Sequence, residues 1–322
     1  MEYIKIIKTG AYLPEIKIKS EELEKKLKLK TGYIKKRTGI ETRYYTKPNE
    51  TQEEMAKKLV KDMFKENIPQ DIGLIITATT TPTMFMPGIS NIIQKELNIK
   101  TCICLDILAG CAGYINAIDI AQKYMTTSNI QKALIIGVEQ LSKFVNPNDI
   151  GTVVVLSDGI GGILIERTTT QKKYISNIET IIDNKQMLES GLEISNEEQG
   201  DKKKKKTKLS MNGKEIYKYA VTETVKNIQE LLNKANENIE NIKYIVPHQS
   251  NLKIMKSIAT RLGKNVIDKM YININETGNT FCASIPIALN QMYKKDLLKQ
   301  GDKIILIGYG GGLNTGSILI EI

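Results

Sequence analysis

The chain has 322 residues, 41% of them apolar, and a formal net charge of +10, enough to bury a large core and biased toward an acidic or phosphorylated partner. No apolar run approaches the ~18 residues of a membrane helix, and the N-terminus enters a strand-like Tyr3-Ile-Lys-Ile-Ile7 without a signal-peptide pattern, so a cytoplasmic protein with no membrane role is expected. Four cysteines form no disulfide framework, and with a single histidine beside them no metal site is expected.

Ile72 to Ile76 is a near-continuous apolar run, read as a strand buried on both faces. Ile103 to Leu108 is a second such strand, with Cys102 and Cys104 alternating along it and expected to pack into the core. It runs through Ala109-Gly110 into Cys111 and a helical pattern from Ala112 to Ile118. A thiol at a helix N-terminus feels the partial positive charge of unpaired N–H groups, which predicts a lowered pKa and a nucleophilic thiolate. The plain alternative is a buried cysteine acting as a small hydrophobe. A third apolar strand follows at Lys132 to Val138.

The stretch from 184 to 208 is polar and holds five consecutive lysines, Lys202 to Lys206, expected on a mobile surface loop because like charges repel. No aromatic stacking residue or recognition motif accompanies them, so no nucleic-acid role is predicted. A helix begins near Gly213, and Tyr244 to Val246 is an apolar strand ending in Pro247-His248, the chain's one histidine. In the next helix Lys253, Lys256 and Arg261 lie near one face, with Ile254, Ile258 and Leu262 on the other. Gly278-Asn279-Thr280, a helix opening at Cys282-Ala283, the strand Lys303 to Tyr309 and the small-residue turn Gly310 to Gly312 complete the order.

An internal repeat decides the architecture. Lys132 to Val138 matches Lys303 to Tyr309 at an offset of 303 − 132 = 171, and the same offset carries Cys111-Ala112 onto Cys282-Ala283 and Ala117 onto Ala288. Two duplicated α/β halves, 1–170 and 171–322, are predicted, with Cys111 of the first meeting His248 and Asn279 of the second at equivalent strand ends. One Cys, one His and one Asn make a candidate nucleophile, base and orienter.

Asp106 to Tyr114, Val246 to Leu252, Gly278 to Pro286 and Gly310 to Gly312 resemble β-ketoacyl-acyl-carrier-protein synthase III, as do Arg37 to Ile40 and Ser157 to Gly159, so the resemblance spans the chain in the family's order. It implies a thiolase-like duplicated αβαβα five-layer fold, a homodimer and a cofactor-free reaction. That reaction is the decarboxylating Claisen condensation of an acyl-CoA primer with malonyl-acyl carrier protein at the start of fatty acid synthesis. Cys111 would carry the acyl group, and His248 and Asn279 would donate to the enolate oxygen formed as CO₂ leaves. The backbone N–H groups of Cys111 and Gly311 would hold the acyl oxyanion. The helix dipole would support the thiolate without a base.

Elongating relatives use two histidines, thiolases a second reactive cysteine and hydroxymethylglutaryl-CoA synthase a glutamate, whereas Asn279 fills the third position here. The resemblance assigns substrate contacts to Tyr33, Arg37, Ile150, Asn251 and, near the acyl pocket of the partner subunit, Met86. Tyr33 and Ile150 stand where many members have a tryptophan and an arginine stacking on the CoA adenine. Lys218, Lys253, Lys256 and Arg261 would dock the acidic carrier protein. A related ketosynthase of secondary metabolism is the alternative. A papain-like protease also shows the order Cys, His, Asn with a Cys-to-His spacing of 248 − 111 = 137, but the chain has no tryptophan and no Cys-Gly-Ser-Cys-Trp string. A non-catalytic scaffold on the same fold is a third reading.

Overall fold

The structure, a computed structural model, describes residues 3–147, 149–170, 172–183, 187–192 and 207–322, so Lys202 to Lys206 lie outside the described residues. In the first half β1 (Tyr3–Tyr12) and a ribbon of β2 (Ile16–Lys19) and β3 (Thr42–Tyr45) enclose two short helices, α1 (Ser20–Lys26) and α2 (Tyr33–Thr38). Then come α3 (Gln52–Phe64), β4 (Ile72–Ala78), α4 (Ile89–Glu96), β5 (Ile103–Ile107), α5 (Gly113–Thr127), β6 (Lys132–Glu139), α6 (Ile150–Val153) and β7 (Gly159–Thr168). The capping box at α3 is visible in Thr51-Gln-Glu-Glu54: the Thr51 hydroxyl accepts the Glu54 N–H at 3.3 Å while the Glu54 carboxylate accepts the Thr51 N–H.

The second half runs through β8 (Tyr174–Thr180), a ribbon of β9 (Leu188–Leu192) and β10 (Thr207–Met211), α7 (Gly213–Ala235), β11 (Tyr244–Pro247) and α8 (Leu252–Leu262). It closes with α9 (Ile274–Thr277), α10 (Ser284–Lys294), β12 (Lys303–Gly310) and β13 (Asn314–Glu321). One sheet has the order β1-β7-β6-β4-β5, the other β11-β12-β13-β8. Matching β6 to β12 places β4 opposite β11, β7 opposite β13 and β1 opposite β8, so the second sheet repeats the first without, among the described residues, a full counterpart of β5. On that side β11 has only a parallel bridge from Ile245 to Met270, with the Tyr271 N–H on the Ile245 carbonyl at 2.9 Å.

The five layers follow from which face of each sheet is apolar. Tyr114, Ile118 and Met125 of α5 and Ile285, Leu289 and Met292 of α10 pack between Ile76, Ile135 and Ile163 of one sheet and Leu306, Ile318 and Ile320 of the other. The outer face of the first sheet, with Ile75, Leu134 and Ile136, is covered by α3 and α4. The outer face of the second, with Ile305, Ile307 and Leu319, is covered by α7 and α8. Cys102 and Cys104 are half-buried at the margin of the α3/α4 layer, with sulfurs 3.6 Å apart, less deep than their alternation on the strand predicts. Cys104 belongs to β5, the outermost strand, which has a neighbour on one side only, and Cys102 just precedes it.

Candidate active site

Cys111 lies in the 3-10 turn Gly110–Ala112 that joins β5 to α5, and the turn Phe281–Ala283 stands in the same place before α10. The two halves meet here because glycines remove the side chains that would hold them apart. A Cβ on Gly110 would fall 2.3 Å from the Gly311 carbonyl, and one on Gly310 would fall 2.7 Å from the Cys111 Cβ. The backbone N–H groups of Gly311 and of Cys111 itself lie beside the Cys111 sulfur and favour its thiolate. Gly311 thus lies beside Cys111 across the contact between the two halves.

The resting thiol differs from the prediction. Burial first, and the Glu139 carboxylate second, push the Cys111 thiol up, and the two N–H bonds pull it down by less. A helix N-terminus could be recognised in the sequence, but the residue is only 4% exposed and the desolvation of a buried thiolate outweighs that dipole. Glu139, at the end of β6, is fully buried, and burial raises its carboxyl to about 7. It accepts the N–H and hydroxyl of Thr80 at 2.9 Å each and the hydroxyl of Thr81 at 2.7 Å. Nothing in the local string around Glu139 marked it, since its neighbourhood is assembled across the sheet.

His248 follows β11 and is 2% exposed; burial lowers its imidazole to about 3, so the resting ring is neutral. Its Nδ1 is 2.8 Å from the Ser284 hydroxyl, and its ring stands edge-on to Tyr309 and Phe281, at 5.4 and 6.4 Å between centroids. Phe281 packs in turn with Cys111, Leu141 and Leu156. Asn279 is held in the same cluster: its backbone bridges Leu156, and its side-chain oxygen accepts the Phe281 N–H at 3.0 Å. The arrangement brings a thiol, a neutral imidazole and a carboxamide around one buried aromatic ring. The Ser157-Asp158-Gly159 motif is structural here, because the Asp158 carboxylate accepts four hydrogen bonds from Thr46 and Ser142.

Tyr33, Arg37, Ile150, Asn251 and Lys253 all line one cavity of about 970 Å³ between α2, α6 and α8. The Arg37 guanidinium sits 4.4 Å from the Tyr33 ring centroid, covering one face of that ring. Asn251 also caps α8 by accepting the Lys253 N–H at 2.9 Å. Lys253, Lys256 and Arg261 are exposed, while Ile254 and Ile258 are buried, as their spacing predicts. Two of the expected contacts lie elsewhere. Lys218 faces a separate depression with Tyr219 and Leu313 and pairs with Glu215 at 3.3 Å, because it projects from α7 rather than α8. Met86 is 88% exposed on the segment between β4 and α4. Among the described residues no helix is long and apolar enough to cross a membrane, and no three His, Cys, Asp or Glu side chains cluster as metal ligands.

The sequence profile of 3-oxoacyl-[acyl-carrier-protein] synthase III matches residues 105–184, and that of its C-terminal part matches residues 232–322. Among curated relatives, β-ketoacyl-[acyl-carrier-protein] synthase III of Clostridium novyi is 38% identical over 326 aligned positions covering 100% of this chain and 99% of its own. The enzyme of the same name from Clostridium tetani is 37% identical over 99% of this chain and 98% of its own. The crystal structure of 3-oxoacyl-[acyl-carrier-protein] synthase III from Aquifex aeolicus superposes with a TM-score of 0.90 at 32% identity, over 99% of this chain and 100% of that one. The two names denote one activity, β-ketoacyl and 3-oxoacyl being synonyms.

Proposed function

The chain belongs to the β-ketoacyl-[acyl-carrier-protein] synthase III family, and from that premise we propose that Cys111, His248, Asn279 and Gly311 carry out its condensation. The protein is an acyltransferase of the thiolase-like fold that starts fatty acid synthesis; the protease and scaffold readings fall with that membership. The observation that carries the residue assignment is the meeting of the Cys111 turn with the Gly310-Gly311 turn of the other half, where a Cβ on Gly110 would fall 2.3 Å from the Gly311 carbonyl and one on Gly310 would fall 3.0 Å from the Cys111 nitrogen and sulfur.

In the first half-reaction the Cys111 sulfur attacks the acyl-CoA thioester, and the two N–H groups receive the carbonyl oxygen as it becomes an oxyanion. In the second, malonyl-acyl carrier protein loses CO₂, and its enolate carbon attacks the acyl group on Cys111. The enolate oxygen is met by the Asn279 amide, whose own oxygen is occupied by the Phe281 N–H, and by protonated Nε2 of His248. The reaction as written needs no cofactor. The pantetheine chain enters by the cavity of Tyr33, Arg37 and Ile150, and Lys253, Lys256 and Arg261 receive the acidic carrier protein at its rim.

The homodimer forms through the open edge of β5. Leu108, Phe85 and Met86, 67, 76 and 88% exposed, give that side of the molecule an apolar border. Met86 then reaches the partner subunit rather than its own cavity. A cytoplasmic location suits substrates of this kind. Mass spectrometry of the intact protein after incubation with a panel of acyl-CoAs tests the reading: an acyl mass added at Cys111 is expected, and no adduct from any primer would refute it.

A further inference from the structure

Ser284 opens α10 with one hydroxyl proton and two neighbours at equal distance. Its Oγ is 2.8 Å from the Phe281 carbonyl oxygen and 2.8 Å from Nδ1 of His248. A carbonyl oxygen can only accept, so the Ser284 proton must point to Phe281; turned to His248, it would leave two oxygens facing each other with no hydrogen between them. The Ser284 oxygen then has only lone pairs to offer, and the second short contact requires a proton on Nδ1. A neutral imidazole carries one N–H, so Nε2 is left as a bare acceptor.

We propose that Ser284 is a positioning residue that fixes the tautomer of His248, so that in the resting enzyme Nε2 is a proton acceptor. The inference rests on the synthase reading and deepens it by giving His248 work in both half-reactions. As the Cys111 sulfur forms its bond to the acyl carbon, its proton passes to Nε2; the CoA C–S bond breaks, and the leaving thiolate takes that proton back. Condensation consumes one proton, which reaches Nε2 from solvent as the malonyl carboxylate and then the enolate place negative charge beside the ring and offset the burial that keeps it neutral at rest. Nε2 then donates to the enolate oxygen, and surrenders the proton to Cys111 when the C–S bond of the acyl-enzyme breaks. This replaces the expectation that the helix dipole alone serves acylation, which the upward-shifted Cys111 thiol does not favour. The chain of contacts Nδ1–Ser284–Phe281 also reaches Asn279, because the Phe281 N–H holds the Asn279 oxygen.

The chain's single histidine makes the test direct, since protein labelled with [15N]histidine shows one imidazole and needs no assignment. At neutral pH the free enzyme is expected to show protonated Nδ1 and unprotonated Nε2; a protonated Nε2 in the wild type would overturn the proposal. Ser284→Ala removes the acceptor of the Nδ1 proton and is expected to move that proton to Nε2, with Ser284→Thr restoring the wild-type pattern. An unchanged tautomer in the alanine variant would show that Ser284 does not set it. Acylation of Cys111 by acyl-CoA should slow roughly tenfold or more in Ser284→Ala. Decarboxylation of malonyl-carrier protein should be spared, and equal losses in both would count against the role. If the alanine variant does not fold, the wild-type and threonine spectra still decide. A wild-type Cys111 that accepts no acyl group would defeat the synthase reading and leave the spectrum untouched.

Discussion

The side-chain oxygen of Asn279 accepts the backbone N–H of Phe281 at 3.0 Å, and that bond turns the amide NH₂ of Asn279 away from Phe281 as a ready donor. Asn279→Asp keeps the acceptor and replaces the donor with a negative charge. Decarboxylation and condensation are expected to fall by ~10²–10³, the usual cost of one oxyanion donor, with Cys111 still acylated. Radiolabelled acyl transfer beside CO₂ release checks this; parallel loss of both would reassign Asn279.

Cys111→Ala should take no acyl group from any acyl-CoA, because the second buried cysteine nearby, Cys282, has its sulfur 3.0 Å from the Gly110 carbonyl and its thiol held up by burial. An acyl adduct recovered on this variant would move the nucleophile elsewhere.

Gly310→Ala probes the contact between the halves. The added carbon would lie 2.7 Å from the Cys111 Cβ and 3.0 Å from its sulfur, so one of the two turns must shift. Acylation should drop at least tenfold while the far-ultraviolet circular dichroism stays native, and full activity would mean that the turns yield freely.

Stability should depend on pH through two buried groups of opposite sign. Glu139 has its folded-state carboxyl raised to about 7 by burial, so the folded protein holds a proton that the unfolded chain releases near 4.5, and stability is lost as pH rises through that window. His248 is lowered to about 3, so the unfolded chain binds a proton near 6.5 that the folded one refuses, and stability is lost as pH falls from 6.5 toward 3. Glu139→Gln should flatten the decline of Tm between pH 5 and 8 and leave the acid limb in place, as calorimetry would show; an unchanged slope would place the titration elsewhere.

Lys256→Glu should raise the KM for malonyl-carrier protein several-fold, by slowing association, and leave the KM for acyl-CoA unaltered. Lys256 is the cleaner probe than Lys253, which lines the cavity itself. The advantage of the wild type should shrink as salt shortens the ~8–10 Å screening length. A salt-independent difference would argue against docking at this face.

Much of the fold was legible because burial on both faces writes apolar strands into the sequence, and duplication writes them twice. Cys111 and Cys282 precede α5 and α10 at one offset, and the strands β6 and β12 share it. The site was legible only as far as its elements carried it. Cys111, His248 and Asn279 each stand at the end of such an element, whereas Glu139 and Ser284 owe their importance to neighbours that are distant in sequence. Ser284 lies 36 positions from the histidine it contacts. The resting state of the thiol is not legible for the same reason, since desolvation is set by the whole core. Lys218, taken from the resemblance rather than from helical spacing, lines a different hollow, a placement set by the packing of α7.

Among the described residues the second sheet has no fifth strand, and this has a consequence for assembly. Where β5 offers a free edge, its pseudo-symmetric place beside β11 is taken by the Met270-Tyr271 segment: Met270 bridges Ile245, and the Tyr271 N–H occupies the Ile245 carbonyl. Had the duplication kept both edges, the β5 edge of one molecule could join the β11 edge of the next, and so on without end, as heterologous contacts do when their rotation does not close. With one of the two covered, the homodimer proposed above would pair like with like about a twofold axis, and growth through these edges would stop at two. A repeat that made the site possible is thus broken beside β11, where an intact copy of the β5 edge would have offered a second, unlike surface for pairing.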